Sequence, residues 1–264
     1  MLRLVLLGDP VAHSLSPVMH RAAFAALGIS GRYDVRRVDP EGMATAAGEV
    51  RAGTLDGANI TMPHKRLAAS LADELSPAAR RAGSVNTWLR RGARLFGETT
   101  DVAGIRIAWQ RAGLPADAPV LVLGAGGAAA AALVALADRV LHVAARRPSA
   151  VAALSERVEV DVRAERWGDA VAGAVVVNAT PIGMHGEPLP DDLLDRAVGL
   201  FDMAYGPDPT PAVSAARARG LPVADGIAML AAQAEVAFEL WTGRPSPPGV
   251  MERAARKASS GESP

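Results

Sequence analysis

Cysteine is absent from the chain, which removes disulfide frameworks, thiolate metal sites and cysteine nucleophiles in one step. A reducing compartment is compatible with that absence. Aromatic residues are scarce at 4% although half of the residues are hydrophobic, so the cores must be assembled mainly from Ala, Val and Leu. Net charge is missing as well, because 28 Lys and Arg balance 28 Asp and Glu. A protein that tracks a phosphate backbone needs a basic face. No basic stretch interleaved with aromatics stands in this sequence, which argues against nucleic acid and for small-molecule partners. Long apolar runs are lacking too. Leu2 to Leu7 is too short for a secretory leader, and the Ala-rich stretch from Gly124 to Ala137 falls short of a membrane span. The expectation is a soluble cytoplasmic protein with no membrane partner.

What is present is an alternation of strand and helix patterns over a length, 264 residues, that suits two domains with separate cores. Leu2 to Leu7 reads as a strand, and Val18 to Leu27 has helical spacing. Ser16 is placed to act as N-cap, Pro17 suits the first helical position, and Gly28 follows the last turn. A strand at 33–38, a helix at 41–52, a strand at 59–62 and a helix at 63–71 continue the alternation. From Pro119 the pattern is more regular, with strands at 120–123, 140–144, 175–178 and 200–203 and a helix at 127–137. A long last helix, 227–241, is stopped by Gly243 and Pro245 to Pro248, and residues 259–264 form a polar tail expected to be disordered. Alternation of this kind predicts an α/β fold of parallel sheets with helices on both faces. The boundary between the halves is expected between Thr100 and Pro119.

Gly124-Ala125-Gly126-Gly127-Ala128-Ala129 follows a predicted strand and opens a predicted helix, the context that turns a glycine pattern into a dinucleotide site. Gly124 permits the tight turn, Gly126 lets a pyrophosphate approach the backbone, and Ala129 is small enough for the helix to pack on the strand. Free N–H groups at the helix start offer partial positive charge to phosphates. After the next strand, sites that prefer NAD usually carry Asp or Glu to hold the ribose hydroxyls. This chain has Arg146 and Arg147 there. Guanidinium groups pair with a 2′-phosphate in bidentate fashion and stack on adenine, which favours NADP.

Polar residues of the first half cluster in a few segments: His13-Ser14-Leu15-Ser16-Pro17, Asn59 to Lys65, Ser84-Val85-Asn86-Thr87 and Gly97 to Asp101. With the glycine turn, Asn178 to Met184, Asp202 to Tyr205 and Asp225 to Gln233, these segments resemble, in order and over nearly the whole chain, the shikimate dehydrogenase family. The resemblance implies NADPH-dependent reduction of 3-dehydroshikimate to shikimate, in aromatic amino acid biosynthesis. It implies Lys65 and Asp101 as the catalytic pair. Hydride delivered to a ketone carbon leaves charge on oxygen, and a nearby acid must supply a proton there. Ser14 and Ser16, helped by Tyr205, match positions that hold the substrate carboxylate. Thr61, Asn86, Asp101 and Gln233 match those that grip its hydroxyls and the reacting oxygen, with Asn59 in support. On the cofactor side Gly124, Ala125, Gly126, Gly127 and Ala128 match the phosphate turn. Arg146 and Arg147 match the 2′-phosphate segment, with Ala145 and Arg147 departing from the family's Asn-Arg-Thr. Thr180, Met203 and Gly226 match residues lining the nicotinamide and ribose.

The implied architecture is a discontinuous substrate domain, 1–100 plus 227–258, and a Rossmann-type doubly wound NADP-binding domain, 101–226, with the cleft between them. No metal is expected, since hydride chemistry needs none and His13 and His64 lack carboxylate neighbours. Either a monomer or a homodimer fits. Two other readings stay open: a quinate/shikimate dehydrogenase using NAD or NADP, and a non-catalytic NADPH-binding regulator. The presence of both Lys65 and Asp101 argues against the regulator.

Overall fold

The computed structural model describes residues 1–206 and 208–260. The chain divides into two compact units, Met1–Asp101 with Ala231–Pro264, and Val102–Leu230. Among the described residues there are twelve strands and ten α-helices, beginning with β1 (Leu2–Gly8), α1 (Ser16–Leu27), β2 (Gly31–Arg37), α2 (Pro40–Ala52), β3 (Gly57–Ile60), α3 (Lys65–Leu71), β4 (Glu74–Leu75), α4 (Pro77–Ala82), β5 (Thr87–Arg91), β6 (Arg94–Glu98) and α5 (Thr100–Arg111). There follow β7 (Val120–Leu123), α6 (Gly127–Ala135), β8 (Leu141–Ala144), α7 (Pro148–Val158), β9 (Arg163–Glu165), β10 (Val175–Asn178), β11 (Gly199–Asp202), α8 (Pro211–Ala218), β12 (Val223–Ala224), α9 (Gly226–Thr242) and α10 (Val250–Ser259). No helix among the described residues is long and apolar enough to cross a membrane. Most of the tail expected from residue 259, namely 261–264, lies outside the described residues.

The first unit holds a sheet ordered β2-β1-β3-β5-β6-β4. It is mixed and not parallel throughout, which corrects the expectation for this half. Strands β3 and β5 pair antiparallel, as do β5 and β6. Between β5 and β6 lie only Gly92 and Ala93, and Gly92 adopts φ 63°, the left-handed backbone that a two-residue hairpin loop requires. A connection this short can only reverse the chain. One face of the sheet carries Val5, Leu7, Ala58, Ile60 and Trp88 against Met43, Ala46, Ala47 and Val50 of α2 and the alanines Ala68 and Ala79. The small helix residues let the helices lie close, and the Trp88 indole N–H reaches the Ala68 carbonyl at 3.1 Å.

The opposite face gathers the scarce aromatics. His20 of α1 stacks on Tyr33 of β2 with ring centroids 4.2 Å apart and planes within 8°. Phe238 and Trp241 of α9 pack on the same His20 ring, and Phe24 on Phe238. Trp241 donates to the Trp88 carbonyl at 2.9 Å. Its indole occupies the space beside Gly57, where a Cβ would stand 2.2 Å from the ring nitrogen. Helix α10, which the sequence pattern does not announce, packs on α1.

Two local expectations are corrected. Ser16 is not the N-cap of α1, since Leu15 holds that position with no side-chain cap and Ser16 lies inside the first turn. Helix α3 starts at Lys65, because residues 61–64 form a turn closed by the His64 N–H on the Thr61 carbonyl at 3.1 Å. The C-cap of α1 is Gly28 at φ 63°, the left-handed stop read from the sequence.

The second unit carries a fully parallel sheet ordered β9-β8-β7-β10-β11-β12. Counted within the unit, that is the doubly wound order 3-2-1-4-5-6 of a Rossmann fold, whose strand order reverses between its first and fourth strands. Strands β7, β8, β10 and β11 are buried at every residue, as strands covered on both faces must be.

His20 gives the first unit a defined acid sensitivity. Burial holds its imidazole at a pKa of about 3, with Asn59 opposing the shift, against about 6.5 in an unfolded chain. The folded state therefore resists a proton that the unfolded state accepts. The stability is fully present above about pH 6.5 and is lost as pH falls toward 3. Between pH 7 and 4.5 this one group should cost on the order of 2–3 kcal/mol. His20→Phe should reduce the pH dependence of urea unfolding by about that amount over the same window. An unchanged slope would show that another group sets it.

Candidate active site

Lys65 is the first residue of α3 and Asp101 the second of α5. Their side chains meet with the Lys65 ammonium donating to Asp101 Oδ2 at 2.6 Å. Both are mostly shielded, with side-chain exposures of 23% and 11%. Enough surface remains on each to touch a small molecule. The other oxygen of Asp101 accepts from the Asn86 amide at 2.9 Å, so the carboxylate is held at both ends.

Asn86 lies just before β5 and is buried. Its Nδ2 also lies 3.0 Å from Thr100 Oγ1 and 3.3 Å from Gln233 Oε1 of α9. Its Oδ1 accepts from the Thr100 N–H at 2.8 Å and the Thr87 hydroxyl at 3.1 Å. A backbone N–H only donates and a carboxylate only accepts, so these two partners fix which end of the amide faces which way. Asn59, in β3, donates to the Asn86 carbonyl at 3.1 Å and to Thr87 Oγ1 at 3.0 Å. Thus Lys65, Asp101, Asn59, Asn86 and Gln233 form one connected group. They are joined by Thr87 and Thr100, which lie in segments that carry the resemblance but to which it assigns no role of their own.

Ser14 and Ser16 lie with their hydroxyls 3.2 Å apart, and the Ser16 N–H donates to Ser14 Oγ at 3.2 Å. The Ser16 hydroxyl is therefore not spent on capping α1. Thr61 leaves β3 with its N–H on the Leu7 carbonyl at 2.9 Å. Its methyl fills the space at Gly8, where a Cβ would sit 2.3 Å away. Gly8, which sequence reasoning passes over, is what lets Thr61 close on the end of β1. His64 is buried with Nε2 2.9 Å from the Val38 carbonyl, a structural placement.

In the second unit, Gly124 leaves β7 at φ 109° and lies against Ala179 and Thr180 at the end of β10, a Cβ there standing 3.0 Å from each. Gly126 is the N-cap of α6 in extended conformation, and no side chain caps the helix. A Cβ at Gly126 or Gly127 would meet no atom of another segment within 4 Å, so the first turn of α6 opens onto free space, while Ala129 is buried. Ala125 and Ala128 flank the opening, half-buried. Uncapped N–H groups with open space in front fit the pyrophosphate of a dinucleotide. Arg146 and Arg147, exposed after β8, make no side-chain hydrogen bond or ion pair among the described residues, and they fit a 2′-phosphate.

Asn178 organises the loops beyond β10 and β11. Its amide donates to Asp202 Oδ1 at 2.8 Å and the Ile182 carbonyl at 2.9 Å, and accepts from Thr180 Oγ1 at 2.6 Å. Burial pushes the Asp202 carboxyl above its usual value, opposed by hydrogen bonds from Thr210, Ala204 and Asn178. Met203 is half-buried, its N–H on the Asn178 carbonyl at 3.0 Å. Burial pushes the Tyr205 phenol above its ordinary pKa. Gly226 admits a close approach by the backbone of Ala204, since a Cβ would lie 2.4 Å from that carbonyl oxygen.

A sheet of this order, with an open helix start at its reversal point, is a dinucleotide-binding domain. Together with a part-buried lysine held on a carboxylate, it fits the class of nicotinamide-dependent oxidoreductases. Residues 6–88 match the family model for the shikimate dehydrogenase substrate binding domain, and residues 226–256 that for the shikimate 5'-dehydrogenase C-terminal domain. An NADP(+) shikimate dehydrogenase of Thermus thermophilus is 42% identical, covering 98% of this chain and 99% of its own. That of Thermococcus kodakarensis is 40% identical, covering 96% of each. A shikimate 5-dehydrogenase from Thermus thermophilus, solved in complex with NADP(H) and shikimate, superimposes with a TM-score of 0.91 at 41% identity, covering 98% of this chain and all of its own. The chain belongs to the shikimate dehydrogenase family.

The two glycines of the second unit should respond oppositely to a methyl group. Gly226→Ala pushes a Cβ into a backbone carbonyl and should destabilise by about 1–3 kcal/mol, a Tm loss of several degrees by calorimetry. Gly126→Ala meets nothing and should melt within about 1 °C of the parent; a large loss there would mean the turn is packed.

Proposed function

We propose that this chain catalyses the reversible reduction of 3-dehydroshikimate to shikimate with NADPH, within aromatic amino acid biosynthesis. The single observation that carries the reading is the 2.6 Å contact between Lys65 Nζ and Asp101 Oδ2. Shikimate or 3-dehydroshikimate would be held by the first unit and NADP by the second. When bound, the nicotinamide supplies the hydride that reaches the carbonyl carbon.

The chain's own residues do the rest. As the carbonyl gains a hydride, negative charge grows on its oxygen, and Lys65 Nζ gives that oxygen a proton. Asp101 holds the ammonium in place and accepts a hydrogen bond from the neighbouring substrate hydroxyl. In the reverse direction Lys65 takes the proton back from the alcohol. Ser14 and Ser16 supply hydroxyl donors for the ring carboxylate, with Tyr205, and Thr61 and Gln233 hold the hydroxyls, while Asn86, its amide already spent within the protein, holds Asp101 beside them. Arg146 and Arg147 would hold the 2′-phosphate and the α6 turn from Gly124 to Ala128 the pyrophosphate, while Thr180, Met203 and Gly226 would line the nicotinamide and ribose.

Shikimate oxidation followed by NADPH absorbance tests the reaction directly, and failure to turn over shikimate sinks the reading. Lys65→Ala should lower kcat by about 10²- to 10⁴-fold and leave NADPH affinity within about 2-fold. An unchanged kcat would remove Lys65 from the chemistry. Arg146→Ala combined with Arg147→Ala should weaken NADPH by about 10- to 100-fold, as expected for lost charge-assisted hydrogen bonds, and NADH hardly at all. Equal losses for both cofactors would make the arginines structural.

A further inference from the structure

We propose that Tyr33 is a positioning residue, whose hydroxyl fixes the Asn59 amide and, through Asn59, Thr87 and Asn86, sets the orientation of the Asp101 carboxylate. The proposal rests on the reading of Lys65 and Asp101 as the catalytic pair.

Strand register brings Tyr33 into reach. Tyr33 pairs with Leu4 and Asn59 with Leu6, and Leu4 and Leu6 are two residues apart, so Tyr33 and Asn59 share one sheet face on either side of β1. The tyrosine ring crosses β1, and its hydroxyl donates to Asn59 Oδ1 at 2.7 Å. Both amide hydrogens of Asn59 are already committed, one to the Asn86 carbonyl at 3.1 Å and one to Thr87 Oγ1 at 3.0 Å. Asn59 is also buried. It therefore has no N–H left for a ligand, and its part in the site is to orient its neighbours.

The donors run in one direction. Tyr33 donates to Asn59, Asn59 to Thr87, Thr87 to Asn86 Oδ1 at 3.1 Å, Asn86 to Asp101 Oδ1 at 2.9 Å, and Lys65 closes on the other carboxylate oxygen. The sense is forced at its ends, because the Asn86 carbonyl and the Asp101 carboxylate can only accept. Aligned donors polarise one another in a low-dielectric interior. Removing the Tyr33 hydroxyl leaves Asn59 Oδ1 without its donor and frees the amide to turn. A turned amide would set its oxygen against the Asn86 carbonyl, loosening both asparagines. His20 stacks flat on the Tyr33 ring, which fixes the direction of the phenol.

Tyr33→Phe keeps the ring and its stacking, so the fold should survive. In the full-length enzyme it should lower kcat for shikimate oxidation by about 5- to 30-fold, with KM for NADP within about 2-fold. In an Asp101→Asn background, measured on the residual turnover, the same change should alter kcat by less than about 2-fold, because the relay then has no carboxylate to orient. Thr87→Val interrupts the relay at its next link and should show the same dependence on Asp101; it carries the test if Tyr33→Phe folds poorly. A lower Tm with unchanged kcat would overturn the proposal, as would equal loss in both backgrounds. If Asp101→Asn alone leaves kcat intact, the catalytic reading fails, and that outcome is distinct from failure of the relay.

Discussion

The buried amide of Asn86 is the constraint on which the first unit depends. It joins the start of α5 to α9, touching Asp101, Thr100 and Gln233 from one side-chain nitrogen. These partners lie up to 147 residues away in sequence. A buried amide left half-paired costs about 1–3 kcal/mol. The arrangement is therefore held by the penalty for breaking it as much as by the bonds themselves. Position follows from the mixed sheet. The antiparallel turn of β5 against β3 sets Thr87 opposite Asn59, and this places Asn86 beside the exit of β3, a few residues before Lys65 begins α3.

The second unit solves a similar problem with the same residue type. Asn178 ends β10, and its amide ties Thr180, Ile182 and Asp202 together beyond the sheet. Asp202 then reaches Thr210, whose hydroxyl caps α8 by accepting from the Val213 N–H. In each unit an asparagine at a strand end supplies both donors and an acceptor to loops that have no ladder partners. The segments beyond those strand ends are thereby held by side-chain hydrogen bonds rather than by a ladder. The start of α6, by contrast, is kept free of any cap. The second unit thus combines loops tied by hydrogen bonds with a helix start that no side chain fills.

Much of this is legible in the sequence where local chemistry is distinctive. The glycine turn stands out because a strand, Gly124 and a helix start follow one another in that order, and Gly28 stops α1 as a left-handed residue should. Lys65 and Asp101 come from resemblance of whole segments, since an isolated lysine at a helix start carries no signal of its own. The hairpin of β5 and β6 escapes the sequence reading. Its strands, TWLRR and RLFGE, carry arginines at the exposed end that hide the alternation, although Gly92 is an available cue. Helix α10 escapes it because Pro245 to Pro248 read as the end of structure, whereas prolines before a helix are also compatible with its start. The partners of Tyr33, Thr87 and Thr100 are not legible for a deeper reason. Their contacts are set by strand register, which a single sequence does not display.

Burial is graded across this network, and the gradient separates its tasks. His20, Tyr33, Thr87 and Thr100 are sealed, Asn59 and Asn86 nearly so, and Lys65 retains the largest exposed share of the chain of contacts that ends in it. On the proposed reading Lys65 gives a proton to the substrate and must touch it, so some exposure there is a requirement. Exposure also lets a long, flexible side chain wander, and an exposed ion pair alone contributes little to hold it. Anchoring Asp101 from the dry side resolves the conflict. The carboxylate is fixed by a group that water does not reach, and it in turn restrains an ammonium that water and substrate can. The polar interior of the first unit is thus best understood as the means by which a partly solvated lysine is kept in one place.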